Sequence, residues 1–188
     1  MSVAHSRDGA AKLVLALRTA GVMDQRLAET FEKTPREPFV ASQFKELAWD
    51  NIELPIECGQ TQTRPVTVAL IVEALNLTRE MSVLEVGTGS GYLAAIMGKL
   101  TRRVYSIDRY RTIVSRAQRA LENLGLSRVD VRFGDGREGW AEEAPFDRIV
   151  ACLQRIVLVG CGEASCQPPG DPVCLVKNCM NALDLLKH

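Results

Sequence analysis

From residue 81 onward the chain repeats one pattern: a short apolar run, a turn, then a stretch of helix length. Val83 to Val86 precedes Tyr92 to Leu100, Arg103 to Ile107 precedes Thr112 to Leu124, and the runs Val129 to Phe133 and Phe146 to Val150 follow. Strands separated by helical crossovers return in the same direction, so the alternation predicts a parallel sheet with right-handed connections. The expected fold is α/β, a doubly wound and mostly parallel sheet.

The first strand runs straight into a glycine-rich turn, Val83-Leu84-Glu85-Val86-Gly87-Thr88-Gly89-Ser90-Gly91-Tyr92. Glycine permits positive φ and leaves no Cβ to hold a ligand away from the backbone, so a nucleotide-like cofactor can lie across this turn. The candidate contacts are Glu85, Gly87, Thr88, Gly89, Ser90 and Gly91. At the end of the second strand, Asp108 can accept hydrogen bonds from both ribose hydroxyls. At the end of the third, Asp135 and Gly136 in Gly134-Asp135-Gly136 can meet the exocyclic amine of an adenine. Asp and Gly also favour turns after strands for purely conformational reasons, and a glycine turn can connect strand to helix with no ligand. All of these residues at the carboxyl ends of parallel strands favour a site.

The loop is spaced G-x-G-x-G, whereas a dinucleotide-binding loop is spaced G-x-G-x-x-G to bring a pyrophosphate to a helix N-terminus. An NAD-linked oxidoreductase is therefore the weaker reading. A cofactor with no phosphate and a cationic methionine end, S-adenosylmethionine, suits the loop and the acidic Glu85 better.

Upstream, Asp8 is placed to cap a helix carrying Leu13, Leu17 and Ala20 on one face, with Gly21 to end it; Asp24 can cap a second bearing Leu27 and Phe31. Pro35 stops that helix near Thr34. Residues 8–48 read as helical. Between Asp50 and Arg64 there is neither a helical nor a strand period, which predicts a long ordered loop, and Pro65 then opens a helix with Val68, Ile71, Val72 and Leu75 as its apolar stripe.

Lys plus Arg and Asp plus Glu number 23 each, so no global field draws the chain to nucleic acid or an anionic membrane. The N-terminus lacks the apolar core of a signal peptide, and no apolar run approaches the ~20 residues that span a bilayer. A cytoplasmic protein is expected.

These motifs, taken in order, resemble the protein-L-isoaspartate (D-aspartate) O-methyltransferases over about residues 10–150. The resemblance is carried by Thr34-Pro35-Arg36-Glu37-Pro38-Phe39-Val40, Leu54-Pro55-Ile56, Gly59-Gln60-Thr61, the whole Val83 to Tyr92 turn, Tyr105-Ser106-Ile107-Asp108, Gly134-Asp135-Gly136 and Pro145-Phe146-Asp147-Arg148-Ile149. Gly59-Gln60-Thr61 is the most specific of them, because methyltransferases in general lack it. The resemblance implies a Rossmann-like methyltransferase fold, S-adenosyl-L-methionine as cofactor, and damaged proteins or peptides containing L-isoaspartyl residues as substrate; a monomer is expected. It places the substrate loop at Gly59, Gln60 and Thr61. The family's Thr-Ile-Ser-x-Pro motif falls on Thr61-Gln62-Thr63-Arg64-Pro65, which makes Thr63 the catalytic position, with a threonine for the serine. The chain then divides as one methyltransferase domain: a helical region and substrate loop (1–80), a cofactor core (81–150) and an atypical tail (151–188).

After Val150 the resemblance stops. A Lys-Pro-Gly-Gly turn and further strands are expected there, and a cysteine-rich tail stands in their place, as a truncation or reading-frame change would produce; the alternative to an active enzyme is a catalytically impaired cofactor-binding remnant. In the tail, Ile156 to Val159 reads as a strand, Gln167 to Gly170 as a turn, and Leu175 to Leu186 as a helix. Five of six cysteines lie from Cys152 on, but Cys161, Cys166, Cys174 and Cys179 lack the C-x-x-C spacing of zinc knuckles, so reduced thiols and no metal are expected. His5 and His188 have no partners in the sequence pattern that suggest a catalytic pair.

Overall fold

The computed structural model describes residues 3–153, 156–160 and 173–176, and the side chains of residues 8–152. Helix α1 (Val3–Thr19) buries Ala10, Leu13 and Leu17, and its Gly9 lies so close to the Trp49 ring that a Cβ there would overlap it. Asp8 is inside α1 and caps nothing: the residues before it continue the helix, and a capping side chain marks a start only where the upstream chain leaves helical geometry. Asp24 does cap α2 (Gln25–Glu32), accepting from the Arg26 N–H at 2.8 Å.

The stretch expected as a long ordered loop holds a hairpin. β1 (Leu54–Pro55) pairs antiparallel with β2 (Thr61–Gln62), and between them Cys58 and Gly59 both take positive φ. Strands of two residues are too short to show a period, so they leave no signal in the sequence. α3 (Pro65–Leu75) opens on its proline and ends at Asn76 in the left-handed region.

The sheet strands are β3 (Ser82–Val86), β4 (Arg103–Asp108), β5 (Val129–Phe133), β6 (Arg148–Leu153), β7 (Ile156–Gly160) and β8 (Val173–Val176), in spatial order β5-β4-β3-β6-β7-β8. β3, β4, β5 and β6 are mutually parallel; β7 turns back antiparallel on β6, and β8 runs parallel to β7. All five β3 residues are buried, as befits a strand with neighbours on both sides and layers on both faces. The crossovers are α4 (Tyr92–Leu100) and α5 (Arg111–Asn123).

Val83, Val104, Val131 and Val150 share one core with the apolar faces of α1 to α5. The opposite face carries Leu84, Val86, Ile107, Ile149 and Ala151, covered among the described residues by Tyr105, Trp140 and Phe146. The expected strand at Ile156 to Val159 is β7, so the sheet continues beyond β6. Leu175 and Val176, expected to begin a helix, lie in β8. The remainder of that helix, the Gln167 to Gly170 turn, Cys161, Cys166, Cys179 and His188 lie outside the described residues, and only the backbone is described at Cys174 and His5.

Candidate functional site

The chain leaves β3 toward β4 on one side, and β6 returns on the other. This reversal of winding direction opens a crevice at the carboxyl ends of β3 and β6. A cavity of about 890 Å³ lies there, lined by the β3–α4 turn, the ends of β4, β5 and β6, and the β1–β2 hairpin.

Of the expected site residues, Glu85, Gly87, Thr88, Gly89, Ser90, Asp108, Asp135, Gly136, Gln60, Thr61 and Thr63 all line this one cavity. Gly91 and Gly59 do not. Gly91 begins α4 at φ 87°, where a Cβ would press on Ala117, and Gly59 is exposed at the hairpin tip with positive φ and open space around it. Both serve the turn's conformation. A Cβ on Gly87 would overlap the carbonyl oxygen of Cys152, and one on Gly136 the side chain of Val86, so β6 approaches the turn, and the segment after β5 the end of β3, only because these residues are glycines.

Glu85 is fully buried, paired across the parallel ladder with Ser106. Ser106 donates to its Oε2, and Ser106 Oγ is also 2.6 Å from Thr88 Oγ1. Glu85 Oε1 has no hydrogen-bond partner among the described residues. Burial pushes its carboxyl up to about 8; the Ser106 bond opposes that rise and the nearby Asp108 charge adds to it. The Cys152 thiol, on the same cavity, is raised by burial and by Glu85.

Asp108 ends β4 with its side chain against the turn: Oδ2 accepts from the Gly89 N–H at 3.1 Å and Oδ1 from the Tyr110 N–H at 3.0 Å. One bond per oxygen leaves further lone-pair positions for a ligand. Asp135 is less free. Arg137 donates to both its oxygens, at 2.5 to 3.1 Å, and its own N–H adds a bond at 2.9 Å; the Arg137 pairing holds the carboxyl down at about 2.

Three further residues shape the site without a site signal of their own in the sequence. Gln62 is buried, lines the cavity and donates to Ser90 Oγ at 2.8 Å. Arg36, wholly buried, donates to the carbonyls of Ala48, Asp50, Ile52 and Thr63 at 3.0 to 3.4 Å, so it ties residues 48–52 to the backbone just after β2. Burial lowers its guanidinium to about 10, which leaves it charged near neutrality. Arg116 of α5 pairs with Glu57 at the hairpin. No local pattern marks Gln62 or Arg116; an arginine between Pro35 and Pro38 is noticeable, but its partners are not. Among the described residues, no three His, Cys, Asp or Glu side chains gather as a metal site, and no helix is long and apolar enough to cross a membrane.

Comparison with known proteins agrees with this layout. A solved protein-L-isoaspartate O-methyltransferase superposes with a TM-score of 0.70 at 32% identity, covering 76% of this chain and 47% of that one. A Plasmodium falciparum protein named for the same activity, in complex with S-adenosyl-L-homocysteine, matches at a TM-score of 0.62 over 84% of this chain and 75% of its own; at 19% identity it speaks for the fold alone. The protein-L-isoaspartate O-methyltransferase of Parvibaculum lavamentivorans is 48% identical over 139 residues, 74% of this chain and 63% of that protein. This chain thus spans just under two thirds of the length of such curated relatives. The model of the family described as protein-L-isoaspartate (D-aspartate) O-methyltransferase matches residues 8–156, slightly beyond the 10–150 that the motifs delimit. With the family match covering most of the chain, and the motif residues meeting around one cavity of a Rossmann-like sheet, the chain belongs to the protein-L-isoaspartate (D-aspartate) O-methyltransferase family.

Proposed function

We propose that the chain binds S-adenosyl-L-methionine in this cavity and transfers its methyl group to the free carboxylate of L-isoaspartyl residues in damaged proteins. The supporting observation is Glu85 Oε1, a wholly buried acceptor on the cavity wall with no partner among the described residues. A buried carboxylate is costly unless matched, and the ammonium of a methionine end supplies the match. The residues present therefore fit the cofactor.

When bound, S-adenosyl-L-methionine supplies an electrophilic methyl on a cationic sulfonium. Asp108 accepts the ribose hydroxyls with the lone pairs that Gly89 and Tyr110 leave open. Asp135 and Gly136 meet the adenine end, where Arg137 must share or yield its hold on Asp135. The substrate carboxylate has an ordinary pKa of about 3.5 and is already ionised near neutrality, so no side chain has to remove a proton. Thr63, just after β2, orients that carboxylate through its hydroxyl, and the adjoining β1–β2 hairpin acts as a lid that excludes water competing for the nucleophile. A monomer in the cytoplasm accords with this reading.

Titration with S-adenosyl-L-homocysteine, followed by methyl transfer to an isoaspartyl peptide, tests it. Micromolar or tighter binding and turnover are expected, both lost in Asp108→Ala. Binding without turnover would leave the impaired remnant as the better description. No binding would remove the cofactor assignment altogether.

A further inference from the structure

The cavity wall carries a second buried acceptor that the assignments above leave unused. Gln62, in strand β2 of the hairpin, is 4% exposed, and its Nε2 donates to Ser90 Oγ, which also accepts from the Tyr92 N–H at 3.3 Å. Its Oε1 has no partner among the described residues. If the amide is turned over, the oxygen meets the Ser90 hydroxyl and the nitrogen is left over, so one end is unsatisfied in either orientation. A group this buried with one end unpaired on a cavity wall is matched by something that enters the cavity.

Its position narrows what that is. Asp135 follows β5, Asp108 ends β4 and Glu85 sits on β3, and the spatial order β5-β4-β3 sets them out in line along the rim of the sheet. Neighbouring strands are about 4.8 Å apart, so an elongated ligand with its ring at β5 and its ribose at β4 brings its tail to β3. The turn after β3 has two hydroxyls. Thr88 leads through Ser106 to Glu85, and Ser90 leads to Gln62. Glu85 Oε1 and the free end of Gln62 thus flank the same short turn, one from the sheet and one from the lid.

We propose that Gln62 is a cofactor-binding residue, the free end of its amide hydrogen-bonding the amino-acid end of the adenosyl cofactor opposite Glu85. The proposal rests on the reading that this cavity takes S-adenosyl-L-methionine. A zwitterionic end offers ammonium donors and carboxylate acceptors together, so it satisfies the amide in either orientation. The same bond anchors the lid from inside, since Gln62 then joins the hairpin, the turn and the ligand.

Calorimetric titrations of the full chain and of Gln62→Met, a variant of similar length without the amide, separate this role from simple packing. Two ligands are used: S-adenosyl-L-homocysteine, and 5′-methylthioadenosine, which keeps the adenosine and thioether but has no amino-acid end. The expected result is about tenfold weaker binding of S-adenosyl-L-homocysteine by the variant, with 5′-methylthioadenosine unchanged within about twofold. Unchanged binding of the second ligand also shows that the variant folds. Equal weakening of both ligands would assign Gln62 to packing and overturn the proposal, as would no weakening of either. If the unaltered chain binds neither ligand, the underlying cofactor reading fails first, and that outcome is visible before any variant is compared.

Discussion

At the scale of single residues, the site is a set of carboxylates in unlike surroundings. Glu85 holds its proton up to about pH 8 because burial disfavours the charged form. In the unfolded chain the same group titrates near 4.5. Between those values the folded protein binds more protons than the unfolded one, so the contribution of Glu85 to stability is complete below pH 4.5 and is lost as pH rises through 8. Without ligand, the melting temperature is expected to fall between pH 5 and 8, and Glu85→Gln should flatten that slope; a slope unchanged in the variant would refute the assignment. Asp135 differs in both respects, being partly exposed and held ionised by Arg137. Removing the competitor with Arg137→Ala should strengthen S-adenosyl-L-homocysteine binding several-fold at low ionic strength, with the gain shrinking in salt, as for any exposed ion pair. Weaker binding in that variant would instead make Arg137 a ligand contact.

At the scale of elements, the proposed lid is fastened by a short ladder and a few side-chain bonds. Its hairpin has a two-pair ladder and is fastened from α5 by Arg116 on Glu57, with both side chains about one third exposed. Arg116→Ala should therefore speed proteolytic cleavage between residues 56 and 60 while leaving the melting temperature within a few degrees, and saturating S-adenosyl-L-homocysteine should restore protection. Arg36 works deeper. Four carbonyls from 48 to 63 converge on it, and Arg36→Met would remove its bonds to these mostly part-buried acceptors at a cost of about 2–4 kcal/mol. A denaturant midpoint shift of that size is expected, with Arg36→Lys recovering only part, because one ammonium cannot match the guanidinium fork.

At the scale of the whole molecule, the cavity is built by segments far apart in the chain: the hairpin near residue 60, the turn near 88, and the strand ends at 108, 135 and 152. A ligand bound there ties all of them together and stabilises the folded state by mass action. At a free concentration of 100 times its Kd, S-adenosyl-L-homocysteine adds about 2.7 kcal/mol. For a domain of this size that corresponds to a rise of about 5–10 °C in the melting temperature. A scan showing no rise at such a concentration would mean that the ligand does not bind the folded state in preference to the unfolded chain.

Much of this architecture is written in contiguous residues. The run Val83 to Val86, the three glycines after it and Pro65 at the head of α3 each state a conformation within a few positions, because strand period, positive φ and fixed proline φ are local properties. Glu85, Asp108 and Asp135 could be placed at strand ends by the same logic. What local logic could not reach was partnership. Gln62 meets Ser90 across 28 positions, Arg36 reaches Thr63 across 27, and Arg116 meets Glu57 across 59. Such pairs exist only once the sheet has closed and its crossovers have packed. The amino-acid order therefore determined which carboxylates stand at the rim, and the tertiary structure alone decided which buried groups remain unpaired there, since an unmet hydrogen bond is a property of the space around an atom.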